Sequence, residues 1–342
     1  MQTSLSLKQR RILAALIVIV SFAGCGTWMH FQNARRQHIQ ALMQSGELAW
    51  EKGELRRAQT IYQEAFQYDP TQSRAASALG SLAAQVDRDQ PTARRYFEQA
   101  RVLDPQDPVP ISELATLEFY NRNWDVSKRL YQQTASLDKY WFWPIYQLGR
   151  IEEQKGHLDK AIEHYREAHE LDTQQAEPLV SLGYVFSKKN QLEEALTYFQ
   201  AALERAPNDL TALKNSADIY SYQNTPVLAE QMYRRFISIK PREADALYRL
   251  GYLLARQKQF DEAAQLFRKV AQIKPRESWS EMGFAFIALQ RGDAKSARTH
   301  FQRAKMRGIA HKEWSRNFES SLIALEKKTN GNRKRESSSY RP

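Results

Sequence analysis

Between Ala176 and Asp209 the apolar positions fall on two helical faces. Leu179, Leu182, Gly183 and Phe186 follow the i, i+3, i+4, i+7 spacing of one face. Ala195, Leu196, Phe199, Ala202 and Leu203 form a second, which Pro207 ends. The polar stretch from Lys188 to Gln191 is short, so the pattern predicts two helices folded back as an antiparallel hairpin. Gly183 and Ala195 are small enough to let the helices approach, and Phe199 fills the space they leave. Helices of about a dozen residues are marginal alone in water, so such a hairpin needs neighbours.

The neighbours are in the sequence, because shifting the window by one hairpin length reproduces the pattern along most of the chain. The copies fall at 39–72, 73–107, 108–141, 142–175, 176–209, 210–243, 244–277 and 278–311. The first carries Gly46, Gly53, Ala58, Tyr62, Ala65 and Pro70; the second Leu79, Gly80, Ala93, Tyr96 or Phe97, Ala100 and Pro105, with one residue inserted near Asp89 to Pro91. The third keeps Leu114, Ala115, Ser127 and Tyr131 without a glycine in its first helix. The fourth has Leu148, Gly149, Gly156, Ala161, Tyr165 and Ala168. Ala217, Tyr220, Ala229, Tyr233 and Pro241 mark the sixth, Leu250, Gly251, Ala263, Phe267 and Pro275 the seventh, and Ala285, Gly292, Ala297, Phe301 and Ala304 the eighth. This array resembles the tetratricopeptide repeat. The resemblance implies an all-α fold, a right-handed superhelical solenoid of about eight helical hairpins in one elongated array. Solenoids need a final helix over the last repeat, and residues 312–326, with Trp314, Phe318, Leu322 and Leu325 at helical spacing, are read as that capping helix.

Ahead of the repeats, residues 1–11 are polar and basic, and residues 12–31 contain no Asp, Glu, Lys or Arg. About 20 such residues span a bilayer as a helix, with Trp28 and Phe31 as interfacial anchors. Two readings stay open: an uncleaved signal-anchor transmembrane helix, or a signal sequence ending at Cys25, where Ala23-Gly24-Cys25 resembles a bacterial lipobox and Phe22 departs from it. Both place the membrane among the partners. Lys8, Arg10 and Arg11 precede the segment while Arg35 and Arg36 follow it. The positive-inside preference therefore predicts an extracytoplasmic repeat domain, periplasmic in a Gram-negative bacterium. At the other end, residues 327–342 have almost no apolar residue and are expected to be a disordered basic tail.

The formal charge of +11 is concentrated at these two ends, so the nearly neutral body lacks the basic stripe of a nucleic-acid binder. The single cysteine, Cys25, excludes an intramolecular disulfide and a cysteine-rich metal site. The histidines are scattered and the glycines occupy packing and turn slots, so no catalytic constellation, metal site or cofactor cradle is expected, and the chain does not read as an enzyme.

Binding is the more promising chemistry. In tetratricopeptide solenoids one stripe of each first helix lines the concave groove free of packing duty, and the resemblance assigns particular residues to it. Those residues are Trp50, then Phe119 and Tyr120, then Trp143, Tyr146 and Arg150, with Tyr184 and Lys188 in the fifth repeat. Lys214, Asn215, Asp218 and Tyr222 follow, then Tyr248, Arg249, Tyr252 and Arg256, then Trp279 and Phe286. Aromatic rings with interleaved cations suit an extended peptide or a stacked polysaccharide. The dicarboxylate clamp of chaperone-binding relatives is incomplete: Asn215 and Arg249 match, whereas Val180, Tyr184 and Asp245 do not. The expectation is a membrane-anchored scaffold that docks a protein or peptide partner in its groove, within a cell-envelope assembly or secretion complex. The alternative is a carbohydrate-binding component of exopolysaccharide synthesis or export.

Overall fold

A computed structural model describes residues 32–308 and 312–338 of the chain. The basic start, the apolar segment 12–31 with Cys25, and residues 309–311 and 339–342 lie outside the described residues. Among the described residues there are seventeen helices and no strand, and no helix is long and apolar enough to cross a membrane. They pair as hairpins. The first is α1 (32–51) with α2 (Leu55–Tyr68), followed by α3 (Ser73–Leu82) with α4 (Gln90–Leu103), α5 (Pro108–Tyr120) with α6 (Trp124–Leu137), and α7 (Phe142–Gln154) with α8 (Leu158–Leu171). Next come α9 (Glu177–Lys188) with α10 (Leu192–Arg205), α11 (Leu210–Tyr222) with α12 (Pro226–Ile239), α13 (Ala244–Arg256) with α14 (Phe260–Ile273), and α15 (Trp279–Gln290) with α16 (Ala294–Met306). α17 (Lys312–Ser338) closes the series. Where the sequence predicts one elongated array, the chain divides into two compact units after Glu167, inside α8.

The joint within a hairpin is the same in both units. Phe199 on α10 is fully buried, and a Cβ added to Gly183 on α9 would stand 2.7 Å from its ring. No ring yields that much without moving a helix, so the glycine sets the approach. The same relation holds between Gly46 and Tyr62, Gly80 and Phe97, Gly149 and Tyr165, and Gly251 and Phe267. In the third and sixth hairpins alanine replaces the glycine and the ring is a tyrosine with a bonded hydroxyl. Tyr131 pairs with Thr116 Oγ1 at 2.8 Å, and Tyr233 donates to Asp218.

Each hairpin turn carries one residue with positive φ: Gly53, Arg88, Arg122, Gly156, Asn190, Asn224, Lys258 and Gly292. Glycine adopts this conformation at no steric cost, whereas the Cβ of Arg122 or Lys258 crowds the following carbonyl. The extra residue of the second hairpin is taken up earlier than the sequence predicts. Ala83–Asp87 forms one π-helical turn at the end of α3, and α4 then starts cleanly, with Asp89 capping the Thr92 amide at 3.1 Å and Pro91 in its first turn. A single inserted residue is absorbed most simply as a π-bulge inside a helix, without disturbing the next cap.

In the first unit, neighbouring hairpins are tied by two buried carboxylates. Glu118 accepts from Arg94 of the preceding hairpin and from Asn123 of its own turn, both at 2.6 Å. Glu152 does the same with Lys128 at 2.5 Å and His157 at 2.7 Å. Burial alone would raise the Glu152 carboxyl; the bonds from Lys128 and His157 outweigh it and hold the pKa at about 2. The first helix also begins before residue 39, and its added turns lie against the end of α2, where Arg35 donates to the Tyr68 carbonyl at 3.2 Å.

In the second unit, α17 covers the last hairpin as the capping helix was expected to, with Phe318 and Leu322 buried among Ala285, Ala288, Ala297 and Phe301. Arg298 pairs with Glu326, and Lys305 with Glu319 at 3.0 Å. The side chain of Trp314 lies outside those described. The helix continues to Ser338, so residues 327–338, expected to be disordered, are helical instead. Once α15 and α16 fix the first turns, extending a helix adds a hydrogen bond per residue without a new nucleation cost.

Two outcomes follow from these contacts. Lys258→Gly removes the left-handed strain at the cost of chain entropy and is expected to raise stability by about 0.5–1 kcal/mol in urea denaturation. Glu152, whose carboxyl is depressed, stabilises the fold above its ordinary pKa and loses that contribution as pH falls towards about 2. Glu152→Gln should therefore be clearly less stable than the parent at pH 6, with the gap closing on acidification; a gap that is independent of pH would contradict the assignment.

Candidate functional site

In the first unit the first-helix residues named from the sequence are only partly free. Trp143, Tyr146 and Arg150 are half-buried on α7. Trp143 lies 5.5 Å from Tyr146, which lies 5.5 Å from Tyr165 of the second helix, so these rings form a ladder that is anchored in the hairpin joint. Arg150 stacks over Phe119 at 4.5 Å and donates to Gln147 Oε1 at 3.0 Å. Phe119 itself is buried against Trp124, whereas Tyr120 beside it is exposed. Sequence position therefore puts Phe119 on the stripe while packing takes it into the core.

The largest departure in this unit is a cleft that the sequence reading found only through Trp50. It measures about 370 Å³ and lies across α1, α3 and α5. Met43, Trp50 and Val109 give it apolar walls, and Ser77, Ala78 and Ser81 of α3 make a floor of small side chains. Glu47, Glu51, Arg74 and Asp107 stand at its edges. Glu47 pairs with Arg74 at 3.0 Å, and Asp107 is used in capping the Val109 amide at 2.9 Å. The signal that could have located it is the run of small residues on α3, which leaves the stripe unfilled beside a tryptophan.

In the second unit, two cations are spent internally. Lys214 on α11 pairs with Asp218 at 3.1 Å and with Asp245 on α13 at 3.3 Å. Arg249 pairs with the same two carboxylates, at 3.0 Å to Asp245 and 3.4 Å to Asp218. Asp218 also accepts the Tyr233 hydroxyl, so two cations, two anions and a phenol form one closed network. Asn215 donates back to the Thr211 carbonyl at 2.7 Å, and Arg256 to Asn224 Oδ1 at 3.1 Å. Lys214 and Arg249, expected to meet a partner's carboxylates, are in this way neutralised by Asp218 and Asp245 of the same stripe.

The rings divide likewise. Tyr248 packs against Phe267 at 5.7 Å and Trp279 at 6.0 Å, and Tyr252 against Phe286 at 4.4 Å. Burial pushes both phenols up. Phe286 is itself buried. Tyr184, with the Lys188 ammonium 4.5 Å above its ring, and Tyr222, at 78% exposure, remain open on α9 and α11. The face can stack and hydrogen-bond a partner at these two positions. Among the described residues no group of three or more His, Cys, Asp or Glu is placed to hold a metal ion.

Comparison with known proteins agrees with this architecture. A tetratricopeptide repeat model matches residues 43–108 and 226–278, a TPR repeat model 149–190, and a further tetratricopeptide repeat model 176–209. No curated protein sequence matches the chain. Among solved structures, PilF of Pseudomonas aeruginosa is similar at 14% identity and a TM-score of 0.55, over 61% of this chain and 94% of that one. The APC/C hetero-tetramer Cut9–Hcn1 is similar at 13% identity and a TM-score of 0.56, over 78% and 52%. At these identities the likeness concerns the fold. With repeat models matching more than half of its length and the ring-on-glycine joint recurring in its hairpins, the chain belongs to the tetratricopeptide repeat superfamily.

Proposed function

We propose that this chain is a membrane-anchored interaction scaffold that docks a protein or peptide partner on the first-helix faces of its hairpins, within a cell-envelope assembly or secretion complex. Proteins of this superfamily are in general interaction scaffolds. The observation that carries the reading here is the exposure of large tyrosine rings on three of the first helices, Tyr120 on α5, Tyr184 on α9 and Tyr222 on α11. A large ring left in water on a helix face is contact area open to a partner. The anchor is read from the uncharged segment 12–31, and the extracytoplasmic side from Lys8, Arg10 and Arg11 ahead of it. The same open rings favour a second reading, a polysaccharide stacked on Tyr184 and Tyr222 as part of exopolysaccharide synthesis or export.

Two measurements test this. A photo-crosslinking amino acid at position 184 or 222 in the full-length chain should trap a protease-digestible adduct, well above the level at Val227 on the second helix α12. A glycan adduct moves the second reading to first, and equal labelling at all three positions removes the docking face. The native chain should sediment with membranes and be released when residues 1–31 are deleted. Cys25→Ala separates the two anchors, since it abolishes lipid labelling of a lipoprotein and leaves a transmembrane helix in place.

A further inference from the structure

The cleft over α1, α3 and α5 has a chemical character unlike that of the second unit. Its floor is low because Ser77, Ala78 and Ser81 are small, and the Trp50 indole forms one wall, held edge-on to Tyr62 at 6.4 Å. A volume of about 370 Å³ accommodates one long side chain and the backbone that carries it. The edges supply three carboxylates, Glu47, Glu51 and Asp107, against one cation, Arg74. Arg74 is already paired with Glu47, and Glu51 has no partner among the described residues. Glu113 lies one helical turn beyond Val109 on the same face of α5. It is half-buried, makes no ion pair among the described residues, and burial pushes its carboxyl up. A desolvated carboxylate without a cation is a cost that a bound cation removes.

Resting on the reading of the first-helix face as a docking surface, we propose that this cleft is the receptor for a basic peptide segment. A lysine or arginine side chain of the partner lies along the Trp50 ring with its charge at Glu51, and a further cation meets Glu113. An indole face attracts a cation more strongly than other rings do, and the long stem of either side chain covers the apolar wall. Charge complementarity disfavours an acidic segment in the cleft, where it would face Glu47, Glu51 and Asp107 with a single, already paired arginine in reply. A divalent cation is not the occupant, since among the described residues these carboxylates do not assemble into a metal-holding group.

The test uses the full-length chain and a short fluorescein-labelled peptide alternating arginine, leucine and glycine, read by fluorescence anisotropy. Two control peptides carry citrulline or glutamate in place of arginine. The arginine peptide should bind, weaken with added salt, and bind about tenfold less tightly to the Glu51→Gln, Glu113→Gln double variant, a loss of about 1.4 kcal/mol. Both substitutions keep side-chain size, and unchanged circular dichroism confirms that the fold is intact. Equal binding of the citrulline peptide, preference for the glutamate peptide, an unaffected double variant, or no binding at all each overturns the inference. Crosslinks at 184 and 222 on the same preparation report the broader docking reading separately, because those positions lie in the other unit.

Discussion

A ring on the second helix of each hairpin rests on a residue of the first helix that is too small to push it away, and the rest of the molecule depends on that contact. Where the small residue is Gly183, the space a Cβ would need is already occupied by Phe199. The contact fixes both the separation of the two helices and which face of the first helix turns inward. It is used once more at the end of the series, where a Cβ on Gly283 of α15 would meet Phe267 of the preceding hairpin at 2.5 Å. One ring then joins its own hairpin and the next, and the register between them becomes a matter of close packing rather than of loop length.

With the inward face so occupied, what the first helices offer to a partner is what packing does not claim, and the two units spend that remainder differently. In the second unit Lys214 and Arg249 are closed into a network with Asp218, Asp245 and Tyr233, so the face presents rings with little unpaired charge. In the first unit the buried Glu118 and Glu152 are satisfied by cations from the preceding hairpin, which removes those charges from any role in binding. Carboxylates remain around a cleft whose floor is made of serine and alanine. Buried charges with partners contribute to the specificity of stacking, and exposed ones without partners to the choice of ligand.

Much of the fold was legible in the chain itself. The spacing of Leu179, Leu182, Gly183 and Phe186, and of Ala195, Phe199 and Ala202, is a local periodicity, and periodicity is what a helix face consists of. The hairpins, their order and the helix that covers α16 could be read because each needs only short-range spacing and a recurring small–aromatic pair. The inserted residue, read from the repeat as lying near Asp89 to Pro91, is absorbed instead by the π-turn at Ala83–Asp87, since an insertion is visible in a repeat but the helix that absorbs it is not. The continuation of α17 to Ser338 was missed because composition describes an isolated segment, not one propagated from a docked helix.

Of the candidate site, the sequence determined which residues share the first-helix stripe; in the fold Tyr184 and Tyr222 are exposed and Trp50 lines a cleft. It could not determine which of them are free. Phe119 and Phe286 are drawn into the core, and Lys214 is neutralised by Asp245, about one repeat away in the chain. Helix periodicity acts over four residues, whereas desolvation and ion pairing act through space between hairpins. The stripe is therefore a property of the sequence, and the choice of which rings and charges remain for a partner is made only when the hairpins stack.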